Sequence, residues 1–210
     1  MSFDLQQFLG ILEQYNLVMW PLHIFASVLG IVAVFCAIKK TKRSDKIIML
    51  ILSLYWLWNG VVFCFMYWSK VYPFANVFGV LWVIQGILFF GNSMKSNLSF
   101  RLRGDVYSTF GIIFLLYAMV GYPVLGQFLG HVYPRFFQFG LVPCPTTIFT
   151  LGLFLLTDKK LPKYLLVIPL LSALSGILAV YWGVYEDIGL VITGLLGTYL
   201  ILHRDRTGQD

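Results

Sequence analysis

Charge is what this sequence has least of. Its 210 residues include fifteen basic and nine acidic side chains, 11% of the chain, where soluble domains carry roughly a quarter. A water-soluble globule of this size cannot cover its surface with so few charges. That excludes a cytosolic enzyme, a nucleic-acid binder and a disordered chain. Charge is also missing from the places where membrane chemistry needs it, because no Asp, Glu, Lys or Arg falls in the middle of an apolar run. A Schiff-base lysine for retinal, a carboxylate proton relay and the paired aspartates of an intramembrane protease are thereby absent. No His-Glu-x-x-His, phosphate loop or Gly-rich dinucleotide signature occurs. Three cysteines, Cys36, Cys64 and Cys144, imply neither a disulfide framework nor a zinc spacing. No basic residue precedes Lys39, so the first 15 residues do not read as a cleaved signal.

Apolar and aromatic residues, by contrast, make up 59% of the chain. A helix that crosses hydrocarbon needs about 20 mostly apolar residues, and seven such runs stand at 17–38, 47–68, 74–93, 106–125, 136–157, 164–182 and 188–203. The sequence therefore predicts an all-α integral membrane protein, one domain with seven transmembrane helices. Phe3, Phe8, Leu9, Leu12 and Tyr15 recur at helical spacing, which predicts an amphipathic helix over 1–15 lying on the membrane surface.

Orientation follows from the basic residues. With the N-terminus outside and the C-terminus inside, thirteen of the fifteen fall on the inner side, in blocks at 39–46, 95–103, 159–163 and 204–206. Only Lys70 and Arg135 remain outside. The partners this implies are the lipid bilayer and, at the inner blocks, anionic lipid heads rather than nucleic acid. A second copy of the chain, or a larger membrane complex, is a further partner left open.

An internal repeat is also legible. Leu17-Val18-x-x-Pro21-x-x-Ile24-Phe25 recurs as Leu141-Val142-x-x-Pro145-x-x-Ile148-Phe149, and Tyr67-Trp68 recurs as Tyr181-Trp182. Two parallel three-helix repeats joined by the fourth span as a linker give this pattern. Chance matching within apolar sequence is the alternative.

The sharpest local feature is Pro143-Cys144-Pro145-Thr146-Thr147. Two prolines around one residue cannot sit inside an unbroken helix, so the fifth span is expected to break here, with Pro145 opening a new half-helix. Broken helices at depth are tolerated where protein or a water-lined cavity satisfies the backbone. The freed amides, the hydroxyls of Thr146 and Thr147 and the thiol of Cys144 then face the break, where they attract an anion or stabilise a thiolate. A plain kink patched by threonine hydroxyls is the alternative.

Around this break the sequence offers His131 and Arg135 in an apolar outer loop, which is expected to fold back over the bundle. Glu186 and Asp187 open the seventh span on the same side, and His23 lies in the outer third of the first. Asn59 and Gln85 sit near the centres of the second and third spans, where a helix–helix hydrogen bond is the competing role. The expected binding set is thus Cys144, Thr146, Thr147, His131, His23, Arg135, Asn59, Gln85, Glu186 and Asp187. No catalytic group, metal ligand or cofactor is assigned.

Several motifs together resemble a family of bacterial multi-pass membrane proteins known only as a domain of unknown function. They are Trp20-Pro21, Trp56-Leu57-Trp58-Asn59-Gly60, Gln85, Tyr122-Pro123-x-x-Gly126, Gly130-His131-x-Tyr133-Pro134, Phe139-Gly140 and Pro143-Cys144-Pro145-Thr146-Thr147-Ile148-Phe149-Thr150. The resemblance runs along nearly the whole chain. It implies a helical bundle of the bacterial inner membrane and supplies no activity. Cys64 stands where the resemblance leads one to expect a histidine, which weakens a multi-histidine metal site. The function expected is binding or translocation of a small solute or ion in an outward-facing polar cavity at the broken helix. The alternatives are a membrane-embedded redox or metal-dependent enzyme using Cys144 with His23 or His131, and a structural subunit of a membrane complex.

Overall fold

In a computed structural model that describes residues 4–95 and 98–208, the apolar runs are helices and no strand is present among the described residues. Helix α1 spans Leu5–Ile38 and α2 spans Ser44–Trp58, the latter continuing through a π-helical stretch, Asn59–Tyr67, and a last 3-10 turn to Lys70. Helix α3 covers Ala75–Lys95. Helix α4, Val106–Leu116, passes through a second π stretch, Tyr117–Gly121, into α5, Tyr122–Phe128. Helices α6, α7 and α8 span Pro143–Leu155, Tyr164–Tyr181 and Asp187–Thr207.

Six of these helical rods are long and apolar enough to cross a membrane, not seven. The exception is α6, whose 13 residues reach about 20 Å against about 30 Å of hydrocarbon. Every residue of α6 except Cys144 is buried within the protein. The long helices instead leave aliphatic side chains such as Leu17, Ile31, Val80, Ile113 and Leu195 half-exposed on the outside of the bundle. In α6, protein stands where lipid surrounds an ordinary span.

The fifth span is not a helix broken in two. Residues 129–142 hold no helix, and α6 begins at Pro143 after an extended Val142. The doubled proline is tolerated because both rings lie in the first turn, whose amides have no partner inside a helix anyway. Pro143 rather than Pro145 is the first helical residue. Before it, Gly140 takes a φ of +77°, and its missing side chain admits Tyr55 and Ala26, which a Cβ would meet at 3.1 Å. The segment 134–142 is thereby drawn into the bundle, with Asn16 Nδ2 donating to the carbonyls of Pro134 at 2.6 Å and Phe136 at 2.8 Å.

Helix α1 also differs from expectation. Of the helix expected over 1–15, residues 1–3 lie outside the described residues, and positions 5–15 are the first turns of a continuous 34-residue helix. Their apolar face packs inward. Phe8 lies against Trp68 and Phe137, and Tyr15 against Phe63 and Tyr67. Trp58 Nε1 donates to the Tyr15 hydroxyl at 2.7 Å, and that hydroxyl donates to Leu141 O at 2.7 Å.

Three helical rods precede the α4–α5 rod and three helices follow it. The two prolines that the repeat equates nevertheless have different positions, Pro21 in the interior of α1 and Pro145 in the first turn of α6.

At the end of the bundle rich in Lys and Arg, the connections knit tightly. Arg101 N donates to Leu156 O at 2.8 Å, Asp158 N to Ser99 O at 3.0 Å and Leu102 N to Ala37 O at 3.1 Å. Arg204 is not a solvated loop charge, being only 3% exposed. Its Nη1 donates to the carbonyls of Phe154 and Thr157, both at 2.9 Å, so its guanidinium closes the C-terminus of α6.

Candidate functional site

The opposite end of α6 is built differently. Its second residue, Cys144, faces the first residue of α8, Asp187, and the thiol donates to Asp187 Oδ2 at 3.2 Å. The Tyr122 hydroxyl donates to Asp187 Oδ1. Beside this triplet, His131 Nδ1 donates to Glu186 Oε1, and the Tyr117 hydroxyl donates to the Glu186 carbonyl at 3.3 Å. Glu186 and Asp187 are 0% and 1% exposed, and Glu186 Oε2 has no hydrogen-bond partner among the described residues. Two adjacent carboxyl groups are therefore buried with one imidazole.

Local structure explains why these groups meet. The π stretch Tyr117–Gly121 precedes Tyr122, and single π insertions re-aim the residues that follow them, often at functional sites. Gly126 then lets Glu186 approach, because a Cβ there would stand 2.9 Å from Glu186 Oε1. His131 is fixed by its own amide, which donates to Gly126 O at 2.8 Å. Asp187 at the start of α8 lies where a helix dipole favours negative charge.

Cys144 and Asp187 also line a pocket of about 50 Å³ between α1, α2, α3, α7 and the segment before α6. Its walls are aromatic: Phe8, Trp68, Phe78, Trp82, Phe137 and Trp182. Trp68 is the centre of that wall, stacked on Phe78 at 5.6 Å and on Trp82 at 6.3 Å. Ser172 and Ser175 of α7 supply its other polar groups. The pocket is thus an apolar slot with a carboxyl and a thiol on its wall, not the polar cavity that the doubled proline suggests.

Of the ten residues expected in the site, four meet: His131, Cys144, Glu186 and Asp187. Thr146 and Thr147 do not face an open break. Thr146 donates to Val142 O at 2.7 Å within its own turn, and Thr147 bonds Ser172 of α7 at 3.0 Å. Arg135 is outside the cluster, paired with Glu13 of α1 at 2.7 Å. His23 is buried edge-on against Phe136, and its Nε2 has no partner among the described residues. Asn59 Nδ2 donates to Tyr55 O at 2.7 Å within its own helix and reaches Gly140 O and Thr146 Oγ1 at 3.4 Å, while Gln85 Nε2 donates across helices to Leu165 O at 3.1 Å. At the start of α6, where an anion is expected from the sequence, the neighbour is the Asp187 carboxyl group, held by the Cys144 thiol and the Tyr122 hydroxyl.

Among the described residues no three His, Cys, Asp or Glu side chains are arranged to hold a metal ion. His131 holds Glu186 rather than Cys144, so neither histidine hydrogen-bonds the thiol. The residue missed by sequence reasoning is Tyr122, one of twelve tyrosines. Its place in Tyr122-Pro123-x-x-Gly126, immediately before a loop holding His131, is the signal available.

Fold and site together define an all-helical protein with six helices of membrane-crossing length and a buried acid–tyrosine–thiol cluster. Residues 5–209 match the family described as "Family of unknown function (DUF6064)", and the chain belongs to that family. No curated protein and no solved structure matches it.

Proposed function

We propose that this chain is a multi-pass protein of the bacterial inner membrane that binds a small amphiphilic molecule from the outer side. The observation that carries the reading is the aromatic pocket with Cys144 and Asp187 on its wall. An apolar slot with a few convergent polar groups is the usual form of a small-molecule site. The aromatic walls receive the apolar body of the ligand, and Asp187, Ser172 and Ser175 receive its polar head. Sorting of the basic residues supports the orientation, with the Arg204 end inside and the pocket outside. Binding is favoured over passage because α6 beneath the pocket is enclosed by protein and its far end is closed by Arg204.

A cysteine-accessibility experiment tests this. In a Cys36→Ser, Cys64→Ala background, Cys144 is the one remaining thiol. A membrane-impermeant methanethiosulfonate reagent added to intact cells is expected to label it as fully as in permeabilised cells. Labelling only after permeabilisation overturns the orientation, and no labelling under either condition overturns the open pocket.

A further inference from the structure

We infer that the polar head recognised in this pocket is positively charged, so that the ligand is a small organic cation such as an alkylammonium. This rests on the small-molecule reading above and specifies its chemistry. The first support is charge. Glu186 and Asp187 are adjacent and buried, yet among the described residues only one basic group, His131, is bonded to them, and it is bonded to Glu186. Among the described residues no Lys, Arg or His forms an ion pair with Asp187. The other cations on this side of the bundle are engaged elsewhere, Arg135 with Glu13 and Lys70 over the ring of Tyr67 at 5.0 Å. With His131 bonded to Glu186, Asp187 is left without a cationic partner among the described residues, and a bound cation would favour the charged form of a carboxyl that burial alone disfavours.

The second support is the wall. Apart from Cys144, Asp187 and two serines, the pocket is lined by aliphatic side chains such as Val142, Leu178 and Val184 and by seven aromatic rings, three of them the indoles of Trp68, Trp82 and Trp182. Aromatic faces attract a cation through the ring quadrupole, tryptophan most strongly, and the attraction grows when water is excluded. A carboxylate beside indole rings therefore discriminates a weakly hydrated organic cation from a neutral molecule of the same shape. The donors already on Asp187 leave it acceptor capacity, since a carboxylate has about four lone-pair sites. A metal ion fits less well, because among the described residues no third ligating side chain joins Asp187 and Cys144.

The test compares choline with dimethylbutanol, its uncharged carbon isostere, on the purified full chain in detergent, read by quenching of tryptophan fluorescence. Choline is expected to bind about tenfold or more tightly than the isostere, an advantage within the range of a desolvated cation–π contact joined by a carboxylate. Asp187→Asn is expected to bring the two affinities together, and Trp82→Leu to weaken choline more than the isostere. Equal binding of both compounds to the wild-type chain overturns the cation inference and leaves the pocket reading standing. Binding of neither, with Cys144 still labelled from outside, also overturns the cation inference alone. If Cys144 is sealed as well, the pocket reading falls with it. The wild-type comparison needs no variant to fold.

Discussion

The two ends of α6 solve the same problem in opposite ways. A short helix buried in protein has orphan amides at its start and orphan carbonyls at its finish. At the finish, Arg204 reaches across from α8 and donates to Phe154 O and Thr157 O, while its own charge is held by Asp205 at 2.8 Å. At the start, two prolines remove two of the amides, and the neighbour that α8 supplies is a carboxyl group. One end is closed by a cation whose bonds are saturated. The other is left acidic, with a Glu186 oxygen that has no partner among the described residues and an aromatic pocket beside it. On the proposed reading, the saturated end holds the fold and the acidic end is where a ligand has something to add.

The contrast is tested most severely at Arg204. Arg204→Met keeps much of the side-chain volume and removes the guanidinium donor from the carbonyls of Phe154, Leu155 and Thr157 and from Asp205. We expect a loss of about 3 kcal/mol, as for removal of one partner from a buried charged network, measured by reversible unfolding in mixed micelles. Cys144→Ala at the other end removes one weak thiol hydrogen bond and is expected to cost about 1 kcal/mol or less. Equal losses from the two variants would erase the distinction between a structural end and a functional one.

A smaller effect is expected where the acidic end depends on a close approach. Gly126→Ala places a Cβ 2.9 Å from Glu186 Oε1, so the carboxyl must move and its bond to His131 is lost. Alanine improves α5 as a helix by about 0.5–1 kcal/mol, whereas the lost charged hydrogen bond costs about 1.5–3 kcal/mol. A net destabilisation of about 1–2 kcal/mol is therefore expected, together with a changed rate of Cys144 alkylation. An unchanged alkylation rate with raised stability would show that Glu186 does not organise this end.

How much of this was legible in the sequence follows from what apolar composition can and cannot report. The long helices were readable because their runs are bounded by charged blocks, such as 39–46 before α2 and 159–163 before α7. The run 136–157 looks the same by composition, yet it is half irregular backbone and half a buried 13-residue helix. A side chain facing protein and one facing lipid are equally apolar, so the sequence could not separate them. The doubled proline did mark a helix boundary, because a proline's missing donor is a local property.

Partnership in the site is not local. Asp187 meets residues 65 and 43 positions earlier, and only packing decides that Tyr122 joins it while His23 does not. Arg135 lies in the same loop as His131, but Glu13 on the extended α1 captures it. Sharing an end of the bundle is weaker than sharing a contact.

Between the two ends, the middle of α6 supplies the finest test of the contrast. Thr150 accepts from Trp56 Nε1 of α2 at 2.9 Å and donates to Thr146 O at 2.8 Å, and both side chains are buried. It touches neither Arg204 nor the pocket. Thr150→Val keeps the shape and leaves the indole N–H without its acceptor. Interhelical hydrogen bonds in a membrane setting average about 0.6 kcal/mol and reach about 1.7, so a loss of about 1 kcal/mol is expected in the same unfolding assay. Choline quenching and Cys144 alkylation should be unchanged, because nothing in the acidic cluster bonds to this residue. A variant that lost binding as well as stability would mean that α6 transmits strain from its middle to its amino end. The separation between a closed end and an open one would then be a property of the whole helix rather than of its termini.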